Sequence, residues 1–258
     1  MRGAVHSAVL TAIHERATDR LVPAPVVLRY FDAQGRAQAL RHALADAGVA
    51  FEDRQVTIAE WPAYKGDSAF AGPFGSLPTL AWGPVTVAET LPIATFLARR
   101  VGQCDGIDEA LIAPREGICS CCYLDVTLRI GDLLWSDVLY PGSDLAKSSQ
   151  RPLGRVLDKL SRVAQCLPVT GWFGGDRPVV ADFFVAEAVE TVRYVLGPAR
   201  DGPLRARLPR LFDHAERVAA RPAIVREREH RPPNLTVSPN ERNAVERIYA
   251  LDLSTLGL

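Results

Sequence analysis

The chain has no surplus of charge: thirty Lys and Arg are balanced by thirty Asp and Glu. Without a net field there is no long-range attraction for nucleic acid or an anionic membrane, so any anion site must be local. A long apolar run is missing too. The longest uncharged stretch, Ser68 to Ala88, is broken by Pro73, Pro78 and Pro84 and by Gly72, Gly75 and Gly83, which excludes a membrane-spanning helix there. The first 25 residues carry His6, His14, Glu15, Arg16, Asp19 and Arg20 where a secretory signal would be apolar, so a cytoplasmic protein is expected. Cysteine is sparse and uneven, five in 258 residues with three at Cys119, Cys121 and Cys122. That spacing is no disulfide framework, and Cys-x-Cys-Cys in a predicted helix without a nearby His is a poor metal set. Buried reduced thiols and no metal are expected.

What the chain does have is ordinary globular composition, 48% hydrophobic and 23% charged, and enough length for two cores. Residues 1–24 carry a weak helical pattern stopped by Pro23 and Pro25 and read as an extension. Val26 to Phe31, rich in β-branched and aromatic residues, predicts a buried strand ending near Tyr30. Leu40, Ala43, Leu44 and Ala47 then recur at helical spacing before Gly48, and Phe51 to Thr57 predicts a second strand parallel to the first. Residues 59–74 look irregular. Thr79–Trp82 and Val85–Ala88 flank Gly83-Pro84 as a hairpin, and a helix starting near Glu89 carries the stripe Ala94, Leu97, Ala98 and Val101.

Beyond a linker at 102–106 no strand is predicted. Leu153, Val156, Leu157, Leu160, Ala164 and Leu167 form one helical face, and Phe183 to Val195 suggests another helix. The expected organisation is an extension (1–24), an α/β domain (25–102), an all-helical domain (107–230) and a C-terminal extension (231–258). In Arg221 to Arg231, Glu227 and Glu229 alternate with Arg, which predicts a solvated face rather than a polyanion site.

The segment Phe74-Gly75-Ser76-Leu77-Pro78-Thr79-Leu80, followed by Val87-Ala88-Glu89-Thr90, carries the most specific local chemistry. Pro78 between a loop and a strand suits a cis peptide that turns the backbone of Leu77 toward an extended ligand. Glu89 and Thr90 open a helix, where free N–H groups attract a carboxylate, the Thr hydroxyl donates and the Glu meets an ammonium. Together they suit an α-amino acid head group. Taken singly, each residue has a bland reading: Tyr30 a half-buried anchor, Arg36 a surface charge, Trp61 packing, Pro78 a strand entry.

In combination these motifs resemble the cytosolic glutathione transferases over residues 26 to about 230. Tyr30-Phe31 followed by Gly35-Arg36-Ala37 is similar to the tyrosine-type classes, closest to the sigma pattern. The resemblance implies a thioredoxin-like N-terminal domain, α/β, before an all-α domain, with glutathione as co-substrate. It implies that Tyr30, aided by Arg36, activates the thiol, and that Trp61, Lys65, Ser76, Leu77, Pro78, Glu89 and Thr90 hold glutathione. A free thiol near pKa 8.5 is mostly protonated at neutral pH, so something must stabilise the anion, and a phenol donor does so. No Ser or Cys lies between Val26 and Arg36, which argues against the serine and cysteine branches.

Phe31, Cys119 and Tyr123, with Trp135, are expected to line an interdomain pocket for a small hydrophobic electrophile. A homodimer is implied, in which an acid from the partner's first long helix reaches the glutathione amine; the corresponding region reads Ala113-Pro114-Arg115-Glu116, which leaves that acid unassigned with Glu116 as a candidate. Two departures from the pattern stand out: Glu89-Thr90 replaces the commoner pair ending in Ser, and Val179 stands where a capping Ser or Thr is usual, so that Asp182 or local packing must compensate. A glutathione-dependent isomerase or a low-turnover carrier would use the same residues.

Overall fold

The computed structural model describes residues 25–258 apart from 106, 140–143 and 238–239. The helical pattern expected in 1–24 lies outside the described residues. Strand β1 (Val26–Phe31) leads through a 3-10 turn at Gly35–Ala37 into α1 (Gln38–Asp46), and β2 (Glu52–Val56) follows. Two single-turn helices, α2 (Trp61–Tyr64) and α3 (Ser68–Ala71), then precede the hairpin β3 (Thr79–Trp82) and β4 (Val85–Ala88) and helix α4 (Thr90–Arg100). The sheet order is β2-β1-β3-β4, with β1 parallel to β2 and the other pairs antiparallel. The 59–74 stretch is therefore less irregular than expected, because one-turn helices are too short for apolar periodicity to register. Local caps define α3: the Asp67 carboxylate accepts the Ala69 N–H at 2.9 Å.

Only helices follow among the described residues: α5 (Glu109–Ser120), a π turn at Cys121–Thr127, α6 (Leu128–Leu139), α7 (Leu145–Cys166) and α8 (Val180–Leu196). The shorter α9 (Asp201–Arg207), α10 (Pro209–Ala219), α11 (Pro222–Arg228) and α12 (Glu241–Tyr249) complete the chain. On α7 the predicted stripe is buried at Leu153, Val156, Leu157 and Leu160, and at Leu167 just past its end, with Val163 more deeply buried than the expected Ala164. Helix α8 is buried nearly all round and is the centre of the domain. Phe183, Val185 and Val189 are each almost fully buried, and side chains of this kind contribute about 1.5–3 kcal/mol each.

Val179 precedes α8, and its missing hydroxyl is replaced by two other groups. The Asp182 carboxylate accepts the N–H groups of Val179 (2.7 Å) and Phe173 (3.1 Å), and Gln103 accepts that of Val180 at 2.9 Å. The linker residue thus caps the core helix of the second domain.

The arginine-rich segment is not a wholly solvated face. Glu227 of α11 is buried against α1, where His42 Nε2 lies 3.0 Å from it and Gln38 donates to it. Glu187 of α8 meets His42 from the other side at 3.2 Å, and Arg221 pairs with Asp46 of α1. Alternating charges along a sequence carry no information about the helix packed against them. All five cysteines are free, with Cys119 and Cys122 buried. Among the described residues no cluster of His, Cys, Asp or Glu could hold a metal, and no helix is long and apolar enough to cross a membrane.

Candidate functional site

Tyr30 sits near the end of β1, held on one side by β2 opposite Gln55 and 5% exposed. The loop that follows folds back on it, so that the Arg36 backbone N–H donates to the phenol oxygen at 3.1 Å. Burial pushes the phenol above its ordinary value. The Arg36 N–H and the Arg36 cation oppose that rise, Tyr123 adds to it, and Arg41 opposes it again. A phenol pushed above its already basic ordinary value keeps its proton at neutral pH. With its oxygen already accepting from Arg36, Tyr30 can donate that proton as a hydrogen bond to an anion.

The Leu77–Pro78 peptide is cis. Just beyond β4, Glu89 N–H donates to the Pro78 carbonyl at 3.1 Å. Glu89 has φ +72°, the one positive φ at a residue other than Gly among the described residues. Such a conformation costs on the order of 1–3 kcal/mol and marks positions held by their surroundings. Here Ser76 Oγ donates to the Glu89 carboxylate at 2.5 Å. Thr90 begins α4, 1% exposed, and its hydroxyl donates to the Arg36 carbonyl at 3.2 Å while also bonding Tyr123. Its proton is committed there, tying α4 to the loop beneath Tyr30 instead of standing free as a donor.

Aromatic edges join the remaining residues. The Phe31 ring meets Tyr30 at 5.5 Å and Trp61 at 5.4 Å, both edge to face. Lys65 is exposed and ends the α2 turn, its N–H donating to the Trp61 carbonyl at 3.0 Å. The Lys65 carbonyl lies so close to Gly75 that a Cβ there would be 3.2 Å from it. Trp61 and Lys65 are thus joined to Phe31 and the Gly75 loop, and Ser76 and Pro78 to Glu89, although they are spread over nearly thirty residues of sequence.

Beside the phenol is a cavity of about 230 Å³ lined by Tyr30, Arg36, Thr127, Ile130, Trp135, Leu235, Thr236 and Val237, among others. The C-terminal segment forms one wall. Gln34 and Gly35 donate their N–H groups to the carbonyls of Asn234 and Leu235, both at 2.8 Å, and Ala33 bridges to Asn234 in parallel register. Phe31 and Tyr123 do not line this cavity: Phe31 turns to Trp61 and Tyr123 to Thr90. Cys119 lines a separate cavity of about 160 Å³ between α4 and α5, where burial pushes its thiol well up. Glu116 accepts the Thr95 hydroxyl at 3.0 Å within the same chain. The sequence reading missed Leu235, Thr236 and Val237, because nothing local marks a segment as the wall of a site 200 residues earlier.

Comparison with known proteins identifies the same architecture. The family profile described as glutathione S-transferase, C-terminal domain matches residues 139–226. Hematopoietic prostaglandin D synthase of Gallus gallus is 28% identical, the match covering 80% of this chain and 96% of that protein. Probable glutathione S-transferase 8 of Caenorhabditis elegans is 26% identical over 80% of this chain and 96% of its own. Among solved structures, monomeric Na-GST-3, a glutathione S-transferase of the hookworm Necator americanus, superposes with a TM-score of 0.69 at 27% identity. That superposition covers 83% of this chain and all of the other.

Proposed function

We propose that the chain is a glutathione S-transferase of the cytosolic family, as its similarity to those proteins supports, and that Tyr30 activates glutathione for attack on a small hydrophobic electrophile. One observation carries the reading: a buried, protonated phenol, its oxygen fixed by the Arg36 N–H, lines a largely apolar cavity. Leu77 offers its backbone beside cis Pro78, Glu89 faces the ammonium end of the tripeptide, and Trp61 and Lys65 receive the glycine carboxylate end. The thiol gives its proton to solvent, Tyr30 donates a hydrogen bond to the thiolate, and the sulfur forms a bond to carbon as the leaving group departs with its electron pair. Arg36 adds positive potential. Thr127, Trp135 and the 235–237 segment enclose the electrophile.

Conjugation of glutathione to 1-chloro-2,4-dinitrobenzene by wild type and Tyr30→Phe tests this. A hydrogen bond to a charged group contributes about 1.5–3 kcal/mol, so kcat/KM should fall roughly 10- to 100-fold with the glutathione KM little changed. Equal turnover would remove Tyr30 from the mechanism. Tight glutathione binding with no turnover by either form would favour a carrier. The similarity to a prostaglandin D synthase supports a second reading on the same residues, isomerisation through a transient thiol adduct; it predicts product formation without glutathione consumption.

A further inference from the structure

Directly behind the Tyr30 ring lies a buried cation. Arg41 of α1 is 1% exposed, and its guanidinium carbon is 5.9 Å from the centre of the Tyr30 ring. Its Nε meets both oxygens of Asp53 on β2, at 3.1 and 3.0 Å. Its Nη1 donates to the carbonyls of Ala33 (3.0 Å) and Gln34 (3.4 Å) and to the Gln38 side chain (3.2 Å). Nη2 is buried with no hydrogen-bond partner. An orphaned buried N–H is costly, and a plain strut between β2 and α1 would not need a cation left partly unsatisfied beside an aromatic face.

Two consequences bear on the phenol. Ala33 and Gln34 immediately precede the Gly35–Arg36 turn, so the carbonyls held by Arg41 set where the Arg36 N–H meets the phenol oxygen. A cation within 6 Å of a phenol ring is also attracted to its π electrons and stabilises negative charge building on the oxygen. The other titratable groups facing the phenol are Arg36 in the loop and Tyr123 in the π turn. Asp53 takes up part of the Arg41 charge, but it is 22% exposed and shared with Gln55, which donates to it at 2.6 Å.

We propose that Arg41 is a positioning residue for thiol activation, holding the Tyr30 phenol and the Arg36 N–H in register from behind the ring and biasing the phenol as a donor. This rests on the reading of Tyr30 as the activating group. Arg41 touches neither glutathione nor electrophile and acts through Tyr30 alone.

The test compares wild type, Arg41→Met, Arg41→Lys, Asp53→Asn and Tyr30→Phe in conjugation of 1-chloro-2,4-dinitrobenzene, reading the pH profile of kcat/KM and the glutathione KM. The phenol of Tyr30 is titrated in parallel by ultraviolet difference against the matching Tyr30→Phe forms. Arg41→Met should lower kcat/KM about tenfold and move the midpoint of the profile and of the phenol titration upward by roughly half to one pH unit, with the glutathione KM changed less than twofold. Arg41→Lys should return both midpoints toward wild type while leaving the rate depressed, since it keeps the charge and loses the fork. Asp53→Asn unscreens the cation and should move both midpoints down; it decides the matter if Arg41→Met does not fold.

Midpoints unmoved in Arg41→Met or, failing that, in Asp53→Asn would leave Arg41 a strut and overturn the proposal while Tyr30 stands. Wild-type turnover by Tyr30→Phe would overturn both.

Discussion

Gly35 donates its backbone N–H to the Leu235 carbonyl at 2.8 Å, and its α-carbon faces Tyr30 so closely that a Cβ would lie 2.8 Å from the phenol oxygen. With φ at +36° the position is also one that L side chains rarely adopt. Gly35→Ala must therefore displace the phenol or the Leu235 strap. We expect a stability loss of about 1–2 kcal/mol from the backbone alone, and a drop in kcat/KM of at least tenfold. Thermal melting and conjugation kinetics measure the two separately, and unchanged kinetics would mean that the phenol tolerates the methyl.

The strap is anchored from its far side by Glu241. Its carboxylate, 4% exposed, accepts the N–H groups of Leu235 (2.9 Å) and Thr236 (3.1 Å). Glu241→Ala leaves both donors without their acceptor, at about 1–3 kcal/mol each while they stay buried, so the strap should release before the fold does. The expected outcome is faster proteolysis in residues 232–237 and a gain in kcat/KM for bulky over small electrophiles. An unaltered selectivity ratio would mean that the 235–237 wall does not bound the substrate.

Asp182 gives stability a pH dependence of defined sign. Burial pushes its carboxyl up to about 7 despite the two N–H groups it accepts. Unfolded, it titrates near 3.9. Between these values the folded state binds the proton that the unfolded state has released, so this contribution is full below about pH 4 and fades as pH rises to about 7. Neighbouring His214, whose Nε2 is 3.4 Å from the carboxylate, is pushed down by burial and has the opposite sign, its contribution growing as pH rises toward about 6.5. Comparison with Asp182→Asn isolates the carboxyl: from pH 5 to 7.5 the wild type should lose about 1–3 kcal/mol more than the variant in urea unfolding. Parallel curves for the two forms would place the Asp182 proton elsewhere.

Much of the fold was legible in short segments. The β-branched run Val26–Phe31, the hairpin at Gly83-Pro84 and the stripe on α7 are local patterns, and each corresponds to an element in the structure. The segment from Phe74 to Thr90 was legible for the same reason, since its Pro and its helix start act within a few residues of themselves. Phe31 was not. Adjacent strand residues face opposite ways, but whether Phe31 meets an electrophile or Trp61 depends on where α2 packs.

By itself, then, the sequence determined the four strands and the longer apolar-striped helices, and it set the expectation of which residues receive a tripeptide thiol, because backbone preference and side-chain chemistry are properties of near neighbours. Only the tertiary structure decided that Leu235–Val237 wall the cavity beside Tyr30, that Thr90 spends its proton on Arg36, and that Arg41 stands behind the phenol. Those contacts exist because buried polar groups must find partners wherever packing brings them together.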